Sequence, residues 1–344
     1  MSLQAPLTSL YETATENRVG GHALNRLAAA QSLLADDLRA IDEAIRCLAG
    51  SGPRPATDAA LHLNGGGGKR VRPIAVLLSA ACFGPISQVA RDLAAVAELI
   101  HLATLLHDDV LDDADERRGR ETSRRVWGNA VSVLSGDLLL THALGETQRV
   151  APGETLSDLI ATLQQLVSGE VVQLRGRRSL DVTEAIYFQI VEDKTASLFS
   201  WATRAGARVG GGDSEQIAAL GRYGKHLGVA FQLVDDALDY VGEAAAIGKG
   251  LHADLMQGKL TLPLTIAVRK RPKAMGDVLL ARNGDEAAAL RVVGAVAETG
   301  ACDEVRKRAQ HETGEAMAAL DTIPAGVARD LLAAVAADLV KRLM

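Results

Sequence analysis

Apolar residues recur at three- and four-residue steps along almost the whole chain, and that regularity excludes most architectures. The first stripe, Leu24, Leu27, Leu34, Leu38, Ile41 and Ile45, runs to the breakers Gly50, Gly52 and Pro53. Beyond the glycine run Gly65–Gly68 the spacing predicts helices over about 72–83, 87–113, 127–149, 154–177, 184–208, 214–241, 260–270, 286–298, 301–320 and 326–343. Aromatic residues make up 3% of the chain and alternating β-branched runs are nearly absent, so strands have little to build from. Several of these helices are apolar on more than one face, which calls for a central bundle wrapped by outer helices. A length of 344 residues suggests two domains on size alone, but no linker, repeat or low-complexity block divides the chain. The expected fold is all-α: one domain over residues 21–344, with residues 1–20 as an extension.

Composition narrows the function. A 48% hydrophobic content is ample for a large core. With 37 basic against 43 acidic residues and no basic stretch to track a phosphate backbone, nucleic acid is excluded as a partner. Cys47, Cys82 and Cys302 are far apart and lack metal-site spacing, so they read as reduced thiols. The N-terminus lacks the basic start and apolar run of a signal peptide. The longest near-apolar stretch, Pro73 to Ile86, is broken by Gly84 and Pro85 and falls short of the roughly 20 residues that span a bilayer. The expectation is a cytoplasmic protein without a transmembrane segment.

The chemistry is concentrated in two acidic clusters. In LLHDDVLDDADERRG (105–119), Asp108 and Asp112 are four apart and share a helix face, with Asp109 beside them. Two carboxylates about 6 Å apart repel by roughly 3 kcal/mol at an effective dielectric near 20. A helix C-terminus is itself negative, so the cluster calls for a cation. Hard oxygen ligands on one wall suit Mg²⁺, which completes its shell with water and substrate phosphates. FQLVDDALDY (231–240) repeats the arrangement with Asp235, Asp236 and Asp239 at the end of another long apolar helix. In GGGGKRVRP (65–73), Lys69, Arg70 and Arg72 stand by a glycine loop leading into a helix expected to begin at Pro73, an anion site in outline. It is not a Walker A loop, since Arg70 occupies the Ser/Thr position, and VGEAAAIGKG (241–250) has the wrong glycine spacing for a nucleotide loop.

Two DDxxD clusters, together with GGKRVRP (67–73), Asp193-Lys-Thr-Ala (193–196) and IGKGLHADLMQGKLTLP (247–263), resemble the trans-isoprenyl diphosphate synthases, the polyprenyl synthetase family, from about Gly67 to the C-terminus. The resemblance implies a helical bundle with a central cavity of the isoprenoid synthase type. It implies a prenyltransferase that condenses isopentenyl diphosphate with an allylic diphosphate. About three Mg²⁺ ions would be held by Asp108, Asp112, Asp235 and Asp239. Lys69, Arg72, His101 and Arg118 would hold isopentenyl diphosphate. Arg117, Lys194, Thr195, Gln232, Lys249 and Lys259 would hold the allylic diphosphate, with Arg117 and Lys194 stabilising the leaving group. For Lys194, the alternative is a salt bridge to Glu192 or Asp193. Asp254 would orient a neighbouring lysine. Glu121 stands where the family usually has proline, which bears on the loop around Arg118.

Ala103 and Thr104, five and four residues before Asp108, are expected one turn deeper on the same face. Family members making short products carry a bulky aromatic there. Both residues are small here, and no Phe, Tyr or Trp lies between Trp127 and Tyr187, which favours a product of about C30–C50. Geranylgeranyl diphosphate stays open as a product, since leucines or a partner subunit can also close the tunnel. A class I terpene cyclase would need an Asn/Ser/Glu triad in place of the second DDxxD, and a silent helical partner should have lost one acidic cluster. The surplus of apolar residues over 127–177 points to a homodimer, and an apolar product implies peripheral membrane contact for its release.

Overall fold

The structure is a computed structural model describing residues 26–65, 68–117, 119–179, 183–241, 255 and 258–341. The expected extension over residues 1–20 lies outside them, as do Arg118, Lys249 and Asp254. The described chain is all-α, as the spacing requires. Contacts group it into two compact units: residues up to 161 with 198–224 and 317–338, and residues 162–197 with 225–316 and the C-terminal end.

The first unit is built on α1 (Arg26–Leu33), α2 (Ala35–Ala49), α3 (Ala56–Asn64), α4 (Val71–Ala81) and α5 (Gln88–Leu111). A two-residue ribbon follows, β1 (Glu116–Arg117) with β2 (Arg120–Glu121), then α6 (Ser123–Trp127), α7 (Asn129–Val150) and the start of α8 (Glu154–Ser179). At its centre lies α5, buried on every side through Leu93–Val96, Leu99 and Ile100. The Ser87 hydroxyl caps its start by accepting from the Ala90 N–H at 3.2 Å. The unit also takes in α10 (Ser197–Gly210), which approaches α4 so closely that a Cβ on Gly206 would lie 2.2 Å from the Val76 carbonyl. Gly136 on α7 likewise leaves room for His107, whose Nε2 would be 2.3 Å from a Cβ there.

The second unit holds α9 (Glu184–Val191), a π-helical turn (Glu192–Ala196), the later part of α11 (Ser214–Val241), α12 (Leu262–Lys270), α13 (Ala274–Arg282), α14 (Glu286–Glu298) and α15 (Ala301–Ala318); α16 (Val327–Lys341) lies largely in the first unit. Leu233, Val234, Leu262, Ile266, Val278, Val292 and Val305 form much of the second core. The chain thus departs from the single expected helix over 184–208. A π turn carries one extra residue per hydrogen-bonded ring, and Gly169 on α8 provides the space: a Cβ there would be 2.7 Å from Asp193 Cβ. Besides the ribbon, three further helices of the described chain depart from the expected spacing, namely α3, α6 and α13. They are short, and α3 and α13 bury mainly small residues such as Ala59, Ala60, Ala274 and Ala281. Among the described residues no helix is long and apolar enough to cross a membrane.

Candidate active site

The first unit supplies the end of α5 and the start of α4. Asp108 closes the last turn of α5, accepting the Asp112 N–H at 2.8 Å, and Asp113 ends the helix at φ +51°. Asp109 is fully buried, and its Oδ1 accepts from Arg117 Nε at 2.9 Å on the returning ribbon. Burial pushes the Asp109 carboxyl above the ordinary range, Arg117 pulls it back, and Asp108 and Asp112 push it up again. Its Oδ2 is buried with no hydrogen-bond partner. Crowded carboxylates with a buried oxygen to spare, at the negative end of a helix, fit a hard cation such as Mg²⁺. Among the described residues no three acidic, His or Cys side chains converge on one point, so such an ion would draw much of its shell from phosphate and water. The loop beyond is tied down by Arg124, 3.2 Å from both Asp113 and Asp115, and by the Thr122 hydroxyl donating to the Ala114 carbonyl at 2.6 Å. Glu121, in place of the family's proline, is accommodated in β2, and its carbonyl lies 2.7 Å from His62 Nε2.

Helix α4 begins at Val71, two residues earlier than expected, with Arg70 in the left-handed region at φ +51°. Arg70 is committed to the protein: its guanidinium meets Glu98 at 2.6 Å, Asp42 at 2.8 Å and Asn64 at 3.0 Å. Arg72 is different. Its guanidinium lies 4.7 Å from the Phe199 ring centroid, and burial pushes its pKa down to about 10 against the pull of Glu98. Its Nε is buried without a hydrogen-bond partner, a state that an incoming anion would relieve. Lys69 stands exposed, with its carbonyl accepting from Gln31 Nε2 at 3.0 Å. His101 lies one turn beyond Glu98 and is half-buried.

One expectation about α5 needs correction. Thr104 is half-buried and stacks one turn below Asp108, its hydroxyl donating to the His101 carbonyl at 2.8 Å. Ala103 is fully buried. Five residues at 3.6 per turn rotate it about 140° from Asp108, so the two do not share a face.

In the second unit, Lys194 and Thr195 sit in the π turn. Lys194 forms an ion pair with Glu170 and donates to Gln173 Oε1 at 3.3 Å. The anticipated alternative partners Glu192 and Asp193 are not the ones it takes; Glu192 instead meets Lys225 at 2.9 Å. Thr195 donates to Gln232 Oε1 at 3.0 Å, Gln232 donates to Asp236 Oδ1 at 2.7 Å, and the Tyr187 hydroxyl donates to Asp236 Oδ2 at 2.7 Å. Asp235 is exposed while Asp236 and Asp239 are buried. Lys259 is half-buried just beyond Gly258, which turns the chain at φ +70°. Glu170, Gln173 and Tyr187 escaped the sequence reading. A signal for the first two existed: they are three apart, hence on one face of α8.

A family model described as polyprenyl synthetase matches residues 54–297. The chain is 37% identical over 302 residues to the all-trans-nonaprenyl-diphosphate synthase (geranyl-diphosphate specific) of Rhodobacter capsulatus, covering 87% of this chain and 93% of that one. It is 34% identical to the octaprenyl diphosphate synthase of Escherichia coli, covering 90% and 97%. The crystal structure of polyprenyl synthase from Caulobacter crescentus, complexed with calcium and isoprenyl diphosphate, superposes with a TM-score of 0.86 at 35% identity, covering 91% of this chain and 97% of that one. Since the match runs through every motif from the basic loop to the second acidic cluster, the chain belongs to the polyprenyl synthetase family, the prenyltransferases that lengthen an allylic diphosphate by isopentenyl units.

Proposed function

We propose that the chain condenses isopentenyl diphosphate with an allylic diphosphate, head to tail, to an all-trans polyprenyl diphosphate of about C30–C50 in a Mg²⁺-dependent reaction. The observation that carries this reading is the end of α5, where buried Asp109 is held by Arg117 between Asp108 and Asp112. Asp108 and Asp112 would hold two ions and Asp235 with Asp239 a third; bound there, Mg²⁺ stabilises the charge that develops on the leaving diphosphate. Arg117 gives Nε to Asp109 and keeps its other N–H groups for the allylic diphosphate. Lys194, Lys249 and Lys259 add positive charge to the same group, with Thr195 and Gln232 beside Lys194. Lys69, Arg72, His101 and Arg118 hold isopentenyl diphosphate so that its double bond attacks the allylic carbon. The proton lost afterwards passes to the departing diphosphate. Names of relatives such as octaprenyl, nonaprenyl and heptaprenyl diphosphate synthase support the length. Incubation with labelled isopentenyl diphosphate and an allylic primer should give apolar label that EDTA suppresses. No incorporation with geranyl, farnesyl or geranylgeranyl diphosphate would refute the reading.

The corrected geometry of α5 selects the test of product length. Thr104→Phe places a ring one turn below Asp108, in the path of a growing tail, and should shorten the product to C15–C20, read by chromatography (about 6 Å along the axis at 1.5 Å per residue). Ala103→Phe instead overpacks a filled core and should destabilise by roughly 1–3 kcal/mol. An unchanged product distribution in Thr104→Phe would show that this face does not line the tunnel.

We read the assembly as a homodimer. Val133 and Leu134 on α7 and Ile160, Val167 and Val171 on α8 are all exposed, Val167 and Val171 at 65% and 59%. Ile160, Val167 and Val171 are spaced seven and four apart, one stripe of a helix. Light scattering should give twice the 36.1 kDa chain mass. A monomer at micromolar concentration would contradict it.

A further inference from the structure

We infer that Asp236, the middle carboxylate of the second cluster, is a positioning residue rather than a metal ligand, and that Tyr187 holds it in that role. The inference rests on the proposed function. The donations converge on Asp236 from two sides. Tyr187 and Asp236 are 5% and 3% exposed. Tyr187 donates to Asp236 Oδ2 and Gln232 Nε2 to Asp236 Oδ1, each at 2.7 Å, so both carboxylate oxygens accept from the protein. Asp235, one residue earlier, is exposed instead.

Asp236 accepts at both oxygens, so the Gln232 amide meets it with its nitrogen end. The NH₂ group faces Asp236, and the carbonyl faces Thr195, whose hydroxyl must then donate, as it does at 3.0 Å. Thr195 follows Lys194 in the widened turn. One buried carboxylate, held by the Tyr187 phenol, therefore sets the orientation of two side chains proposed to meet the allylic diphosphate. Without the phenol, Asp236 loses the Tyr187 donor, and the carboxylate that orients the Gln232 amide toward Thr195 is held less firmly. Networks of this kind act as units, so their losses do not add.

Steady-state kinetics of Tyr187→Phe, Asp236→Asn and the double variant test this. Each single variant should lower kcat about tenfold, with the double variant little worse than either, while KM for isopentenyl diphosphate and half-saturation by Mg²⁺ stay within about twofold. Tyr223→Phe is the control. It also loses a buried hydroxyl bond, to the Leu332 carbonyl at 2.8 Å, and should lower Tm but not kcat. A second arm reads the thermal shift given by inorganic diphosphate with Mg²⁺, which should be smaller in Tyr187→Phe than in the parent. A parent that binds diphosphate but never elongates sinks the elongation reading alone, since this arm still reports on the network; a parent that diphosphate does not stabilise overturns both. A Mg²⁺ requirement raised more than about tenfold in Asp236→Asn would make Asp236 a metal ligand. Parental kcat and an undiminished diphosphate shift in Tyr187→Phe would overturn the inference.

Discussion

Asp108→Ala should abolish elongation while leaving the helical fold intact, and Asp235→Ala should do the same. Asp108 and Asp109 lie in the last turn of α5 and Asp112 caps it, where the helix end and the neighbouring carboxylates are all negative. Removing one carboxylate from such a cluster relieves repulsion of roughly 3 kcal/mol at about 6 Å, so stability should hold. What disappears is the oxygen that would fix the metal and, through it, the diphosphate. Removal of a single preorganised charge-stabilising group typically lowers kcat by about 10²–10³, and loss of a metal ligand should reach at least that range. Circular dichroism checks the fold and labelled isopentenyl diphosphate checks turnover. Retention of more than about a tenth of parental turnover with Mg²⁺ would contradict the assignment of that aspartate.

The second large effect separates the two diphosphate sites. Lys194→Ala should lower kcat by about 10²-fold, because in the proposed role its ammonium would act on charge that develops only as the leaving group departs. Arg72→Ala should instead raise KM for isopentenyl diphosphate with kcat nearly kept, the signature of an interaction equal in ground and transition states. Lys194 also neutralises Glu170, and both side chains are mostly buried at 21% and 15% exposure. Truncating it strands that carboxylate, so Tm must be followed alongside kcat. Adding Glu170→Gln to Lys194→Ala should restore Tm but not turnover. Recovery of turnover in that double variant would make Lys194 a structural partner of Glu170. Equal effects of Lys194→Ala and Arg72→Ala on both substrates would erase the distinction between the sites.

Much of this molecule was legible in its sequence, for reasons that can be named. Helices α4, α5 and α11 announce themselves because each carries a long apolar run bounded by polar or glycine breaks. The acidic clusters stand out because repelling charges at the end of an apolar helix have no purely structural purpose. What stayed hidden depends on contacts distant in the chain. The π turn at 192–196 leaves no period of its own in five residues, and its space comes from Gly169, more than twenty residues earlier. Local sequence offers Lys194 only Glu192 and Asp193 as neighbours, whereas its partner Glu170 stands on α8. Arg70 looked like one of three equivalent loop cations, and only Glu98 and Asp42, brought in by α5 and α2, show that it anchors the loop. Ala103 adjoins Thr104 in sequence, although five steps of a helix from Asp108 rotate it toward the core. The all-α class was therefore readable from local pattern, while division of labour among the charges was not.

The length of what the chain makes tests the elongation reading most directly. Labelled isopentenyl diphosphate should be incubated with geranyl, farnesyl or geranylgeranyl diphosphate and Mg²⁺, the products dephosphorylated, and the alcohols sized by chromatography against all-trans standards. A main product between C30 and C50 is expected, absent when the metal is chelated. A main product of C20 or shorter, or a cyclised hydrocarbon, would contradict that reading.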